Sequence, residues 1–374
     1  MRKLRLGIFG RDTAPTEGGA DTLRQMIAEK FPAAAADGGV EFVPMPWNAW
    51  SHRRRPIRFF WLKLLRCLGT EIPLVDLRPV CREWRLDLAY FAAPAYARID
   101  IPFVFTLWDL GHRTIPEFPE VRSARDPWDQ REAMARRMLT QASYVVVGNE
   151  AGAAEACGLY GVDRKRVVAL PFPNPDFSSV TAVAPAWLPA TPFFLYPAQL
   201  WPHKNHHTLL QALALLARRG VEIDLVFVGS DKGNAAYLKA TAAELGLAGR
   251  VRFGGFVPRG ELKALYEKAA GLVFPSLLGP NNLPPQEAAV LGCPAILSDS
   301  PGHREQLREG ALYVPPLDAE AWAAAMFRVL SDPGLRAGLA DRAKAAVATC
   351  TMEAYASGLH RLFSELAKRR LLWR

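Results

Sequence analysis

Two charged side chains in this sequence each stand where an apolar run passes through a loop into a helix, the kind of junction that binds phosphates and hydroxyls. Lys204 lies in Tyr196–Leu213, YPAQLWPHKNHHTLLQAL, which reads as strand, loop and helix with the lysine where the helix begins. A cation beside a helix N-terminus is electrostatically misplaced unless an anion lies between them, so Lys204 is expected to hold a diphosphate. Most lysines are simply solvated, and here position rather than residue type carries the reading. Glu287 lies in Pro275–Gly292, PSLLGPNNLPPQEAAVLG, after the apolar run Ala270–Phe274, and is expected in the first turn of a helix opening near Pro284. A carboxylate has no use for a phosphate but accepts hydroxyl hydrogens, such as those of a ribose diol. The plain alternative is a carboxylate serving only the helix dipole. His203, His206 and His207 invite a metal reading. Neighbouring histidines at a helix start point in different directions, however, and no carboxylate lies near them in sequence, so no metal is expected. In the first half, Gly18 and Gly19 of PTEGGA either allow close backbone approach to a ligand or make a tight turn, and His112 follows a strand end, where functional loops gather.

Such side chains need strands that end in loops and helices that begin there, and the chain supplies them twice. Apolar runs at Leu4–Gly10, Val40–Val43, Leu86–Phe91, Pro102–Leu107 and Tyr144–Val147 predict a first set of strands, with helices at Pro127–Gln141 and about Glu150–Tyr160. Leu170–Pro192 carries six prolines and has a linker composition. The alternation then restarts, with strands at Phe193–Pro197, Ile223–Gly229, Arg250–Phe253, Ala270–Phe274 and Pro294–Leu297. Helices at Lys204–Arg219, Ala235–Leu245 and Arg259–Lys268 lie between them, and the chain is helical from Ala319 onward. The fold class predicted is α/β, two Rossmann-like doubly wound parallel sheets, with domains over residues 1–175 and 190–350 and a last helical piece over 351–374. Its stripe Leu359, Leu362, Phe363 and Leu366 needs a surface to cover.

Composition narrows the partners. The 374 residues are half hydrophobic and 22% charged, and 46 basic residues against 37 acidic ones leave a net charge of +9, so some face is expected to meet phosphates. No nucleic-acid signature accompanies that charge. Five cysteines without paired spacing point to reduced thiols in a cytoplasmic protein. No signal peptide is expected, since the apolar run after Met1 is short, and no stretch of about 18 apolar residues is present to span a membrane.

Together the two corners resemble the retaining glycosyltransferases of the GT-B fold, specifically family 4. Within it the sequence is most similar to a bacterial subgroup with a PAQFWPHKNH-like junction and a GPxNxPPxEA-like corner. The resemblance is densest over Phe193–Pro315 and thinner through PTEGG and Pro102–Glu117, PFVFTLWDLGHRTIPE. It implies two domains facing across a cleft, an N-terminal one for the acceptor and a C-terminal one for a nucleotide-sugar donor, with the last helix crossing back to the first. Carried over by position, Lys204 would bind the donor diphosphate and Glu287 the ribose, with Asn281, Asn282, Leu283 and Pro284 meeting sugar and phosphate. Gln199, Gly229, Ser230, Phe256, Val257 and Glu261 would border the nucleotide. Gly18 and Gly19 would approach the phosphates, and Asp109 and His112 would face the sugar or acceptor. Two positions depart from the family pattern. Gly279 stands eight residues before Glu287, where a glutamate is common, and Gln199 stands five before Lys204, where an arginine is common. The implied activity is transfer of a hexose-type sugar to a glycan or lipid-linked acceptor in cell-surface polysaccharide or glycolipid synthesis, with no metal cofactor; the sequence contains no Asp-x-Asp. A non-catalytic sugar-nucleotide or glycan-binding partner, or an epimerase on the same fold, is the rival reading.

The segment 53–68, RRRPIRFFWLKLLRCL, has no acidic residue. At 100° per residue Arg55, Arg58, Lys63 and Arg66 share one face and Phe60, Trp61, Leu64, Leu65 and Leu68 the other. Such a helix either packs in the first domain's core or lies on an anionic membrane surface, and the basic end KRRLLWR adds weight to the second.

Overall fold

The computed structural model describes residues 3–9, 40–43, 75–93, 95–122, 128–370 and 372. Gly18, Gly19 and the basic segment 53–68 lie outside them. The chain divides into two compact bodies. The first comprises Met1–Pro116, Val121–Pro173 and Thr351–Arg374; the second comprises Glu117–Glu120 and Asn174–Cys350.

In the first body the described strands are β1 (Leu4–Phe9), β2 (Val40–Val43), β3 (Val75–Asp76), β4 (Leu88–Phe91), β5 (Ala97–Arg98), β6 (Phe103–Thr106), β7 (Tyr144–Val147) and β8 (Val167–Ala169). Six form a parallel sheet in the order β2-β1-β4-β6-β7-β8, and β3 pairs with β5 apart from it. LAYF, FVFT and YVVV of β4, β6 and β7 are buried at every position, as strands of a parallel sheet covered on both faces must be. Their residues alternate between two apolar clusters. Phe91, Phe103, Phe105 and Val145 meet Met138 and Leu139 of the helix Trp128–Gln141 and Ala153 and Ala156 of the helix Glu150–Tyr160. Tyr90, Val104, Tyr144 and Val146 meet Tyr355, Leu359, Leu362 and Phe363 of the helix Met352–Arg370. The orphan stripe of the last helix thus finds its surface on this sheet. Polar groups inside that contact are matched, with the Tyr90 hydroxyl 3.0 Å from both Thr106 Oγ1 and the Tyr355 hydroxyl.

The second body holds β9 (Phe193–Pro197), β10 (Asp224–Val228), β11 (Val251–Gly255), β12 (Gly271–Phe274), β13 (Ala295–Ser298) and β14 (Ala311–Val314). All run parallel in the order β11-β10-β9-β12-β13-β14. The chain builds outward from β9 to β11, then crosses to β12 and builds the other way, so strand order reverses between β9 and β12. Ligands of open α/β sheets bind outside the carboxyl ends of the strands at such a reversal. The loops leaving β9 and β12 are the two corners that carry Lys204 and Asn282. The body is closed on itself where its long piece starts and stops: Asn174 N–H donates to Cys350 O and Asn174 Nδ2 to Val347 O, each at 2.7 Å.

Two helix starts differ from the sequence expectation. A 3-10 turn, Pro202–Lys204, precedes the helix His206–Arg218, with Asn205 between them at φ 56°, so Lys204 sits before the helix and not in it. The helix Leu283–Val290 has Asn282 as its N-cap, which moves Glu287 out of the first turn into the second. Pro284 and Pro285 occupy the start, because a proline there forfeits only amide hydrogens that have no helical partner.

Candidate functional site

At the reversal of the second sheet, Lys204 Nζ lies 3.2 Å from Asn282 Oδ1 and 3.3 Å from Ser276 Oγ, and 5.3 Å from the centre of the Phe274 ring. The lysine that leaves β9 and the asparagine that follows β12 are therefore brought together. The backbone beneath the lysine is tied on both sides: Lys204 N–H donates to Trp201 O at 3.0 Å, and the Tyr196 hydroxyl donates to Lys204 O at 2.6 Å. The three histidines diverge, as expected. His203 turns to Glu120, His206 packs against Tyr196 and Phe227, and His207 stacks on Tyr237.

Asn282 is 9% exposed and is the centre of the arrangement. Its Nδ2 lies 3.1 Å from His303 Nε2 and also donates to Gly279 O at 3.2 Å, while Gln306 Nε2 donates to Asn282 O at 2.6 Å. His303 Nδ1 lies 2.9 Å from Ser298 O. Burial holds the His303 pKa down at about 4, so the ring is neutral, with Nδ1–H donating to Ser298 O and Nε2 accepting from Asn282. That tautomer forces the Asn282 amide to present Oδ1 toward Lys204. Sequence reading missed Ser276, His303 and Gln306; the signal for His303 was only its place three residues after Ser300, whose Oγ caps the helix Pro301–Leu307.

Glu287 is half-buried, and Tyr266 donates its hydroxyl to Oε2 at 2.8 Å. Burial raises its pKa, against the pull of Tyr266 and Arg259. Gly279, where the resembled family commonly has glutamate, adopts φ +112°, and a Cβ there would stand 2.9 Å from Asn282 Nδ2. A side chain there would be strained by the backbone and would have to push the Asn282 amide aside. Asn281 Nδ2 is buried and has no partner among the described residues, leaving a donor in the same loop.

The remaining nucleotide-side candidates follow the ends of β9, β10, β11 and β12. Gly229 has φ +149° and packs so closely that a Cβ would fall 2.2 Å from Ala198 O; its N–H donates to Gly255 O at 2.7 Å. Ser230 O accepts from Leu200 N–H at 3.0 Å, and Gln199 Oε1 accepts from Trp201 Nε1 at 2.8 Å. Phe256 is 60% exposed, an apolar ring on the surface, with Val257 beside it and Glu261 in the first turn of the helix Arg259–Lys268. Leu283 and Pro284 open the Asn282-capped helix.

In the first body, Asp109 Oδ1 accepts from Gly111 N–H at 2.9 Å and Arg131 Nη2 at 2.8 Å. His112 is 1% exposed, with Nε2 2.9 Å from the Tyr160 hydroxyl and 3.3 Å from Glu132 Oε2. Arg113 and Tyr160 also bond Glu132, and the Arg113 guanidinium first among them holds that carboxyl down at about 2. The His112 ring thus belongs to a buried network under the end of β6, its Nε2 engaged by Tyr160 and Glu132 and its Nδ1 without a hydrogen-bond partner among the described residues.

Comparison with solved structures defines the class of fold. Sucrose-phosphate synthase of Thermosynechococcus elongatus superposes with a TM-score of 0.70 at 21% identity, over 97% of this chain and 99% of that one. Anabaena HepE in complex with UDP and glucose gives 0.67 at 17% identity, over 97% and 100%. The fold is GT-B, that of such glycosyltransferases. The matching sequence family is glycosyl transferases group 1, over residues 185–346, which is most of the second body. Among curated proteins, the O-antigen chain mannosyltransferase RfbU of Salmonella typhimurium is 36% identical over 134 residues, 36% of this chain and 37% of that protein. Two further curated relatives are matched over 48% and 61% of their lengths.

Proposed function

We propose that this protein is a retaining, family 4 glycosyltransferase that moves a hexose-type sugar from a nucleotide-sugar to a glycan or lipid-linked acceptor in cell-surface polysaccharide or glycolipid synthesis. One observation carries the reading: Lys204 Nζ and Asn282 meet at the reversal of a Rossmann-like sheet, with Glu287 on the helix that Asn282 caps. Departure of a nucleoside diphosphate concentrates negative charge on its terminal phosphate, and a lysine held in place before the event stabilises that charge without reorganising. Lys204 does this, the Glu287 carboxylate takes the ribose hydroxyls, and Asn281 Nδ2 donates to donor oxygens. The leaving phosphate takes the acceptor proton as the sugar passes through an oxocarbenium-like state on one face, and no metal ion is needed. The UDP and glucose held by the HepE neighbour support a nucleotide-sugar donor, and the O-antigen role of RfbU supports a surface-glycan acceptor. We place the protein in the cytoplasm, peripheral to the inner face of an anionic membrane. The 53–68 segment and the basic last turn Lys368, Arg369 and Arg370 support that placement.

The test is turnover with a panel of nucleotide-sugars, preceded by a thermal-shift screen for the donor. Lys204→Ala is expected to lower turnover about 100-fold or more with the melting temperature little changed. A well-folded and active alanine variant refutes the diphosphate role. Co-sedimentation with anionic vesicles at low and high salt tests the membrane placement, and absence of binding at low salt excludes it.

A further inference from the structure

Glu120 lies in the four-residue piece Glu117–Glu120, which is part of the second body although the chain on either side of it belongs to the first. Its side chain is 7% exposed, and that of His203 is 9% exposed. Glu120 Oε1 accepts from His203 N–H at 3.0 Å and pairs with the Nδ1 of the same residue's ring. Its second oxygen, Oε2, is buried with no hydrogen-bond partner among the described residues. Burial pushes the Glu120 carboxyl up, but the His203 ring and amide bring it net below the ordinary glutamate value, so it remains charged. Buried but bonded in this way, the carboxylate is held as the anion against His203.

His203 is the joint of the site. Its amide and ring go to Glu120, its carbonyl accepts from Leu277 N–H at 3.0 Å in the loop after β12, and its chain neighbour is Lys204. The Phe118 ring meets the His203 ring edge-on at 6.4 Å. Three segments distant in sequence are thus fixed through one residue, and the turn they fix, Pro202–Lys204, ends in the amine that reaches Asn282 and Ser276. We infer that Glu120 is a positioning residue for Lys204, holding the Pro202–Lys204 turn through His203 so that Nζ stands where the diphosphate binds. This rests on the diphosphate role proposed for Lys204 above.

The experiment is calorimetric titration of UDP, GDP and dTDP into the full-length protein and its Glu120→Ala, Glu120→Gln, Lys204→Ala and double Glu120→Ala/Lys204→Ala variants, with a melting temperature for each. Glu120→Ala is expected to weaken binding of the preferred diphosphate about 10-fold in the wild-type background and less than about 2-fold in the Lys204→Ala background, the non-additivity that marks action through the lysine. Glu120→Gln keeps an acceptor for His203 N–H and is expected to stay within about 3-fold of wild type. Equal losses in both backgrounds, or a lowered melting temperature with unchanged affinity, overturn the inference. Should Glu120→Ala not fold, Glu120→Asp, which draws the carboxylate back by one methylene, carries the same comparison. If Lys204→Ala weakens binding and the Glu120 variants do not, this inference fails alone. A wild type that binds none of the three, or binds one with no help from Lys204, overturns the donor-site reading and this inference with it.

Discussion

His303 decides which end of the Asn282 amide faces the lysine, and it can do so only while neutral. The same holds in a different way for His206, enclosed by aromatic rings with its pKa held at about 3 by burial, the nearby Lys204 charge adding to it. In an unfolded chain both would titrate near the ordinary histidine value of about 6.5. Between that pH and about 4 the unfolded state therefore takes up protons that the folded state refuses, and what these two histidines contribute to stability falls as the pH drops through the window. Glu155 and Glu287, whose carboxyls burial raises, act in the opposite direction over the same range, so the histidine contribution is read by comparison with a variant. The melting-temperature difference between wild type and His303→Gln at pH 7.5, 6 and 5 is expected to shift against the wild type as the pH falls, and a difference independent of pH would contradict it. Glu287→Gln should weaken nucleoside diphosphate binding about 10-fold, because Tyr266 already occupies one carboxylate oxygen and an amide presents a single acceptor. An unchanged affinity returns Glu287 to a structural role. His112→Ala should cost about 1–3 kcal/mol of stability, through the lost Tyr160 bond, with the donor dissociation constant unmoved. Lys204 stands out in the sequence because a cation beside a helix N-terminus breaks a local rule of charge placement, and Glu287 because a carboxylate in a phosphate-binding corner suits hydroxyls and not phosphate; their roles are those proposed above. Their partners were not legible, since Ser276, His303 and Glu120 reach the lysine only through strand order and a strap of chain that no local pattern encodes.

At the scale of the element, Gly279 shows how the second corner tolerates its departure from the resembled pattern. With φ +112° and Asn282 at Cβ distance, the loop needs glycine to let the asparagine side chain fold back on residues 278 and 279. Gly279→Ala is expected to cost about 1–3 kcal/mol in strain and to weaken donor binding as well, by displacing Asn282 from Lys204. A variant that melts lower but binds normally separates the two effects. Strands made of continuous apolar runs, such as YVVV and GLVF, were readable in the sequence within a residue or so. β14 was not read as a strand, although ALYV is as continuously apolar as GLVF. The double proline misled in a small way, marking the first turn of its helix rather than the residue before it.

At the scale of the molecule, one helix completes a body to which it is not adjacent in sequence. Met352–Arg370 supplies Tyr355, Leu359, Leu362 and Phe363 to the core over β4, β6 and β7. A chain stopped after Cys350 lacks those side chains of that core, and is expected to aggregate or to lose the first body's melting transition while the second body's persists. Differential scanning calorimetry of the truncated chain distinguishes this from a helix that merely decorates the surface. The two-sheet plan was legible from alternation and the proline-rich stretch after Leu170, whereas the return of the last helix came from family resemblance, since its stripe says only that some surface is needed. The closure of the second body by Asn174 on Val347 and Cys350 has a consequence for how the protein is made. All of the second body except the four-residue Glu117–Glu120 strap is one uninterrupted piece, complete in the chain once Cys350 has been made. The first body, though begun earlier, waits for Tyr355, Leu359, Leu362 and Phe363 of its core until that piece has been synthesised, so the usual amino-terminal-first order of folding cannot be completed for it.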